Sequence, residues 1–210
     1  VRFPRYVRYV DDAADFARQQ AVEDDLIMVP PFHPELVRGV ASYAMELFGD
    51  VDNLDRVYVP VGMGSGICSL ITARDALGLK TEIIGVVAKG ADALQQSFLK
   101  GEIHETATAK TFADGVACRK PDPASFEIIK KGAADIIAVS DDDIMQAMRL
   151  YFSATHNVAE GAGAAALAGV IADRARAIGR KNAVILSGAN IDRDMYAEIL
   201  LGSNRNEPEI

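Results

Sequence analysis

The sequence predicts an α/β fold, a parallel β-sheet flanked by helices, and three observations predict it. Two apolar runs rich in β-branched residues, "RVYVPV" (56–61) and "TEIIGVVA" (81–88), show no polar alternation, as expected of interior strands covered on both faces. Segments with apolar residues at the helical period lie between such runs. The first run stops in the glycine turn "GMGSG" (62–66), which opens directly into a helical pattern, so 56–88 reads as one strand–helix–strand unit.

The elements follow in chain order. "DDAADFARQQA" (11–21) predicts a helix with an Asp cap and Ala13, Phe16, Ala17 and Ala21 on one side. "LIMV" (26–29) predicts a short buried strand stopped by Pro30 and Pro31. Pro34 starts a helix whose Leu36, Val37, Val40, Ala41, Ala44 and Phe48 keep the helical period, with Gly49 as its C-terminal cap. After the strand at 56–61 and the glycine turn, Ile67, Leu70, Ile71 and Leu77 predict a helix ending at Gly78, and 81–88 is the next strand. A short helix near 91–98 leads into loop-like sequence to about 123. "ASFEIIKKG" (124–132) is a helix and "DIIAVS" (135–140) a strand. Ser140 then caps a helix whose first turn carries Asp141, Asp142 and Asp143, charges suited to the positive end of a helix dipole. The Ala-rich stretch 160–179 predicts one helix, "NAVILSGAN" (182–190) a last strand running into a turn, and a short helix starts near Asp192.

Composition narrows the function. At 210 residues, half of them hydrophobic, the chain is long enough for one well-buried core. Its 22 basic and 30 acidic residues give a net charge of −8 and no basic stripe interleaved with aromatics, so nucleic acid is not an expected partner. No apolar run reaches the length of a membrane span and the start carries no signal-peptide pattern, so no membrane partner is expected and the location expected is the cytoplasm. Cys68 and Cys118 share no metal-ligand spacing and read as reduced thiols. The opening "VRFPRYVRYV" reads as the middle of a longer protein, and the chain is expected to be a fragment, a cleavage product or a partial piece of one.

The glycine turn invites three phosphate-binding readings. A dinucleotide turn needs G-x-G-x-x-G and an acid at the end of the second strand. Gly62 and Gly64 fit, but Ile67 stands where the third glycine belongs, and "TEIIGVVA" ends without an acid. A nucleoside-triphosphate loop needs a Lys after its last glycine, and none follows Gly66. What remains is a nest of N–H groups at a helix N-terminus able to hold one phosphate monoester, or a strand-to-helix turn that binds nothing.

Five segments decide between these. "VPPFHPELVRG" (29–39), "VPVGMGSGICSLITARDALGLKTEIIGV" (59–86), "TFADGVACRKP" (111–121), "NVAEGAGAAALAG" (157–169) and "VILSGANID" (184–192) resemble, in order and spacing, the threonine/serine dehydratase family of pyridoxal-phosphate enzymes. The resemblance implies the tryptophan synthase β-like fold (fold type II), with 1–28 the end of its smaller domain and 29–210 the large coenzyme-binding domain. It implies pyridoxal 5'-phosphate as cofactor and a homodimeric assembly. Gly62, Met63, Gly64 and Ser65 match the family's four-glycine cup for the coenzyme phosphate, and Gly66 stands where relatives usually have Leu. Met63 and Ser65 depart from glycine, which costs strain if either position needs a positive φ. Ser187 matches the hydroxyl that hydrogen-bonds the pyridine nitrogen, Gly115 the glycine passing close to the ring, and Glu160 an acid near the cofactor; an N-terminal helix charge is the other reading of Glu160. A divalent-cation site of some relatives uses two acids where this chain has Val87 and Ala93, so no metal site is expected. "GVAS" (39–42) replaces the commoner Gly-Gln-Gly-Thr and implies altered substrate contacts.

The family's Schiff-base lysine motif, Ser-x-Lys-x-Arg-Gly, and its substrate loop, Ser-x-Gly-Asn-His, occur nowhere in the chain. Its eight lysines (80, 89, 100, 110, 120, 130, 131 and 181) sit in polar or turn-like contexts. The resemblance therefore implies a parent enzyme that eliminates the hydroxyl of a small β-hydroxy amino acid such as threonine or serine, giving a 2-oxo acid and ammonia. The 210 residues alone are expected to hold the coenzyme without a covalent anchor and to be inactive, with no catalytic residue of their own. The polar tail "GSNRNEPEI" fits the short catabolic type of enzyme. A racemase, a hydroxyaspartate dehydratase and a non-catalytic phosphate- or coenzyme-binding fragment are the alternatives.

Overall fold

The computed structural model describes residues 10–202, so the opening nine residues and most of the polar tail lie outside it. The strands β1 (Arg56–Pro60), β2 (Glu82–Ala88), β3 (Asp135–Val139) and β4 (Asn182–Val184) form one sheet in the order β3-β2-β1-β4, with every pair parallel. Helices α2 (Pro34–Asp50), α3 (Ser65–Ala76) and α5 (Pro123–Gly132) cover one face, and α6 (Asp141–Thr155), α7 (Gly161–Ala172) and α9 (Arg193–Leu201) the other. The two remaining longer helices are α1 (Val10–Glu23) and α4 (Ala93–Lys100).

Side-chain alternation along β1 builds both cores. Val57, Val59 and Val61 pack with Ile67, Leu70 and Phe126 on the first face, whereas Tyr58 packs with Ile84, Val86 and the alanines of α7 on the second. Both sets are buried, which is why the strands read as unbroken apolar runs. The chain steps from β1 outward to β2 and β3, then returns to lay β4 on the other side of β1. That reversal opens a crevice beyond the carboxyl ends of β1 and β4, the place where open α/β sheets bind ligands.

Several expected boundaries shift. The 26–29 run is no strand: it pairs with neither edge of the sheet, and Ile27 is 95% exposed. A strand signal without a neighbouring strand has no ladder to join. Helix α1 starts at Val10, so Asp11 lies within its first turn instead of capping it. Helix α2 runs past Gly49 because no left-handed residue stops it there; Leu47 accepts from the Val51 N–H, and the left-handed residue that turns the chain is Asn53 (φ 55). Helix α3 ends one residue before Leu77, and Gly78 takes the left-handed position just beyond.

The Ala-rich segment breaks at Asp173 into α7 and the single turn α8 (Arg174–Ala177). At the break the Asp173 carboxylate is drawn inward, where it accepts the Tyr58 hydroxyl at 2.7 Å and pairs with Arg176. Strand β4 is shorter than expected. After the Ile185 N–H bonds the Tyr58 carbonyl, the chain leaves the sheet to form the loop that carries Ser187.

Ser140 caps α6 as expected, in a reciprocal box with Asp143: the hydroxyl accepts the Asp143 N–H at 3.2 Å, and the Asp143 carboxylate accepts the Ser140 N–H at 3.0 Å. The Ser140 hydroxyl also donates to the Asp143 carboxylate at 2.5 Å, and that bond, with the backbone bond second, holds the Asp143 carboxyl below the usual range. Ser140→Ala is expected to lower unfolding free energy by about 1 kcal/mol, read from the midpoint of a urea melt with an unchanged slope.

Candidate functional site

The crevice at the end of β1 and β4 holds a cavity of about 510 Å³. It is lined by Val59 and Pro60 from β1, all five residues of the glycine turn, Gly115, Val40 and Tyr43 from α2, and Ile185, Leu186 and Ser187. Of the expected site residues, Gly62, Met63, Gly64, Ser65, Gly66, Gly115 and Ser187 are thereby brought together. Glu160 lines a neighbouring cavity of about 240 Å³, which shares Gly115 with the first.

Gly64 makes the turn possible. Its φ of +101° and ψ of 0° place it in the left-handed region at the N-cap of α3, where it contributes no capping side chain. The ladder of α3 begins with the Cys68 N–H donating to the Gly64 carbonyl at 3.0 Å, so the N–H groups of Ser65, Gly66 and Ile67 precede it. No acidic side chain occupies this first turn. The result is an uncapped helix start with the positive end of its dipole at the cavity, an arrangement that favours an anion.

Met63 and Ser65 carry no strain. Neither has a positive φ, and the only positive-φ non-glycine residues among those described are Asp25, Asn53 and His156. Their departure from glycine therefore leaves the backbone path of the turn intact. Gly62 matters for a different reason: a Cβ there would lie 2.3 Å from the Gly115 carbonyl oxygen, so its bareness lets the 113–118 turn close over the glycine loop. The thiol of Cys118, on that turn, lies 3.7 Å from the Met63 sulfur.

Ser187 is exposed at the mouth of the loop that leaves β4. This loop is fixed from behind by the start of α7: the Glu160 N–H donates to the Gly188 carbonyl at 3.1 Å, and the Glu160 carboxylate accepts the Asn190 N–H at 3.0 Å. Gly163 allows the contact, since a Cβ there would come 2.2 Å from the Gly188 oxygen. Glu160 thus braces the loop that presents Ser187.

Three contributors escaped the sequence reading. Tyr43, half-buried in the cavity wall, donates its hydroxyl to the Gly66 carbonyl at 2.8 Å; burial pushes its pKa up to about 12. Ser69, fully buried, donates to the same carbonyl at 2.7 Å. Val40 shares a face with Tyr43, three residues on along α2, a spacing legible in the sequence but indistinguishable there from ordinary core packing. Val87 and Ala93, the positions compared with a cation site, are buried and apolar. Cys68 is buried and free, its thiol raised to about 12 by burial, then by the nearby Asp122 charge. All eight lysines are exposed and none lines the cavity.

Comparison with known proteins gives a consistent set of relatives. The family described as pyridoxal-phosphate dependent enzyme matches residues 5–188. The L-threo-3-hydroxyaspartate ammonia-lyase of Saccharomyces cerevisiae is 33% identical over 94% of this chain and 61% of its own length. Serine racemase of Schizosaccharomyces pombe is 32% identical over 93% of this chain and 61% of its own. Among solved structures, the processed form of threonine deaminase isoform 2 from Solanum lycopersicum superposes with a TM-score of 0.85 at 27% identity, covering 92% of this chain and 57% of that one. The chain therefore spans about three fifths of the length of the curated relatives it matches.

Proposed function

The chain belongs to the family of pyridoxal-phosphate-dependent enzymes, of tryptophan synthase β-like fold (fold type II), and from that premise we propose that residues 29–210 are the coenzyme-binding domain of an ammonia-lyase acting on small β-hydroxy amino acids such as threonine or serine, with 1–28 the end of a smaller domain. The observation that carries the proposal is the convergence in one cavity of the uncapped start of α3 and the exposed Ser187 hydroxyl. A cytoplasmic homodimer is the proposed state, on the resemblance alone.

The residues present fit the coenzyme. Three N–H groups free of the helix ladder suit a phosphate, and the apolar walls of Val40, Val59, Ile185 and Leu186 suit a flat heteroaromatic ring. The volume of about 510 Å³ lies within the range of roughly 300–1,000 Å³ usual for such sites. When bound, the coenzyme supplies an electron sink that acidifies the α-C–H of the amino acid. The chain's own groups bind and orient. Ser65, Gly66 and Ile67 hold the phosphate through their N–H groups. Ser187 donates a neutral hydrogen bond to the ring nitrogen and, unlike a carboxylate, holds no proton there, so the sink is weak. A weak sink suits elimination, in which the β-hydroxyl leaves instead of the α-carbon waiting to be reprotonated. Gly115, in the cavity wall, would lie beside the ring, and Glu160 acts one step back by bracing the Ser187 loop.

The test is an assay of a protein that contains this chain together with the lysine-bearing segment. Ammonia and a 2-oxo acid are expected from threonine and serine. Faster release from 3-hydroxyaspartate, or formation of D-serine in excess of ammonia, would move the assignment to the second reading, a hydroxyaspartate lyase or racemase, which the 33% and 32% identity to those relatives favours.

A further inference from the structure

We infer that Tyr43 is a positioning residue of the phosphate cup, acting with Ser69 through the Gly66 carbonyl to orient and strengthen the first-turn N–H groups of α3. The inference rests on the reading of the cavity as a coenzyme site and adds a residue to it.

The Gly66 carbonyl and the Ile67 N–H belong to one peptide unit. Two hydroxyls converge on that carbonyl, Tyr43 Oη at 2.8 Å and Ser69 Oγ at 2.7 Å, from two different helices. Hydrogen bonds accepted by a peptide oxygen polarise the unit and make its N–H a better donor, an effect magnified where water is excluded. Ile67 and Ser69 are fully buried and Gly66 half-buried, so this peptide sits at the edge of the core, where the cavity meets it. Its N–H is one of the three that precede the helix ladder. The carbonyl is thus held at one end while the donor at the other end faces the start of the helix.

Gly66 lies beside this arrangement with ordinary van der Waals room: a Cβ there would be 3.8 Å from Tyr43 Oη and 3.7 Å from Val59 Cγ2. Its φ does not demand a glycine. The phenol stays a donor through the neutral range, and burial pushes its pKa further up, to about 12.

The experiment titrates the 210-residue chain and its Y43F and S69A variants with pyridoxal phosphate and with pyridoxal, followed by coenzyme absorbance, and repeats the phosphate-ester titration against inorganic phosphate as competitor. Y43F and S69A are each expected to weaken pyridoxal phosphate and inorganic phosphate by about 5-fold, as when the misoriented Ile67 N–H loses its bond to the phosphate, while the affinity for pyridoxal stays within about 2-fold. An equal loss for both coenzyme forms would make Tyr43 a wall of the cavity only and overturn the inference, as would unchanged phosphate affinity in both variants. Should the unsubstituted chain fail to distinguish pyridoxal phosphate from pyridoxal, the cup reading falls and the positioning role with it. Ser69 reaches the carbonyl from within α3, so a Y43F variant that folded poorly would leave the S69A arm to decide.

Discussion

Gly64→Val is expected to abolish measurable retention of pyridoxal phosphate and to lower stability by about 3 kcal/mol. Two independent effects combine at this residue. At φ +101° a β-branched side chain is forced into a region that costs an L-residue roughly 1–2 kcal/mol even before any contact is made. Its Cβ would also lie 2.9 Å from both Cβ and Oγ of Ser125 and 3.3 Å from Ile129 Cδ1, an overpacking worth about 1–3 kcal/mol against the buried start of α5. Relief of either effect moves the peptide that opens α3. Loss of two charge-assisted N–H bonds to a phosphate, at about 1.5 kcal/mol each, amounts to a weakening of about 100-fold. Thermal melts and coenzyme titration measure the two parts separately. Gly66→Ala is the matched control, because its Cβ has ordinary van der Waals room and no positive φ to satisfy; it is expected to keep both stability and affinity. A Gly64→Val chain that binds as well as the original would show that the turn does not hold the phosphate.

The same glycine shows why part of this site could be read from sequence and part could not. A strand, a short glycine turn and a helix are local events, so β1, the turn and α3 were legible from a few residues in a row. Which glycine carries the left-handed φ was not. Met63 and Ser65 looked like strained substitutions because the family pattern has glycine at all four positions, and only the backbone shows that Gly64 alone turns left-handed. The Ser140 box was legible because donor and acceptor lie three residues apart. The inward bond of Asp173 at the helix break was not, since its partner, the Tyr58 hydroxyl, is 115 residues away in sequence. The failure of 26–29 as a strand has the same origin: strand propensity is a local property, but a ladder needs a neighbour. Tyr43 and Ser69 fall between these cases. Their spacing gave an ordinary helix face, and their convergence on one carbonyl appears only when α2 and α3 are packed together.

Supplied with pyridoxal phosphate and threonine, the 210 residues are expected to release ammonia no faster than the free coenzyme does. Elimination from the β-carbon requires a base that takes the α-proton, and a nucleophile or base must stand about 3 Å from the atom it serves. The cavity offers Tyr43, Ser65 and Ser187 as its only side-chain hydroxyls among the described residues, and no lysine, histidine or carboxylate. Tyr43 is committed to the Gly66 carbonyl, and burial keeps its proton in place. Lys120 lines a separate groove together with Met63, where its ammonium lies 3.6 Å from the Glu105 carboxylate. Binding without turnover is therefore the expected outcome: coenzyme held by N–H groups and a serine hydroxyl, with no lysine, histidine or carboxylate among the described residues lining the cavity. Absence of a positioned general base alone removes roughly 10²–10⁴-fold in rate, and absence of the covalent anchor removes more. A coupled assay for 2-oxobutanoate measures the result directly. Turnover above the free-coenzyme background would overturn the expectation, and its loss in Lys120→Ala would then assign the work to that residue. Turnover only when a lysine-bearing segment is added would instead mean that this chain contributes the cup, the ring contact and the brace behind Ser187, while the proton transfer is supplied from outside it.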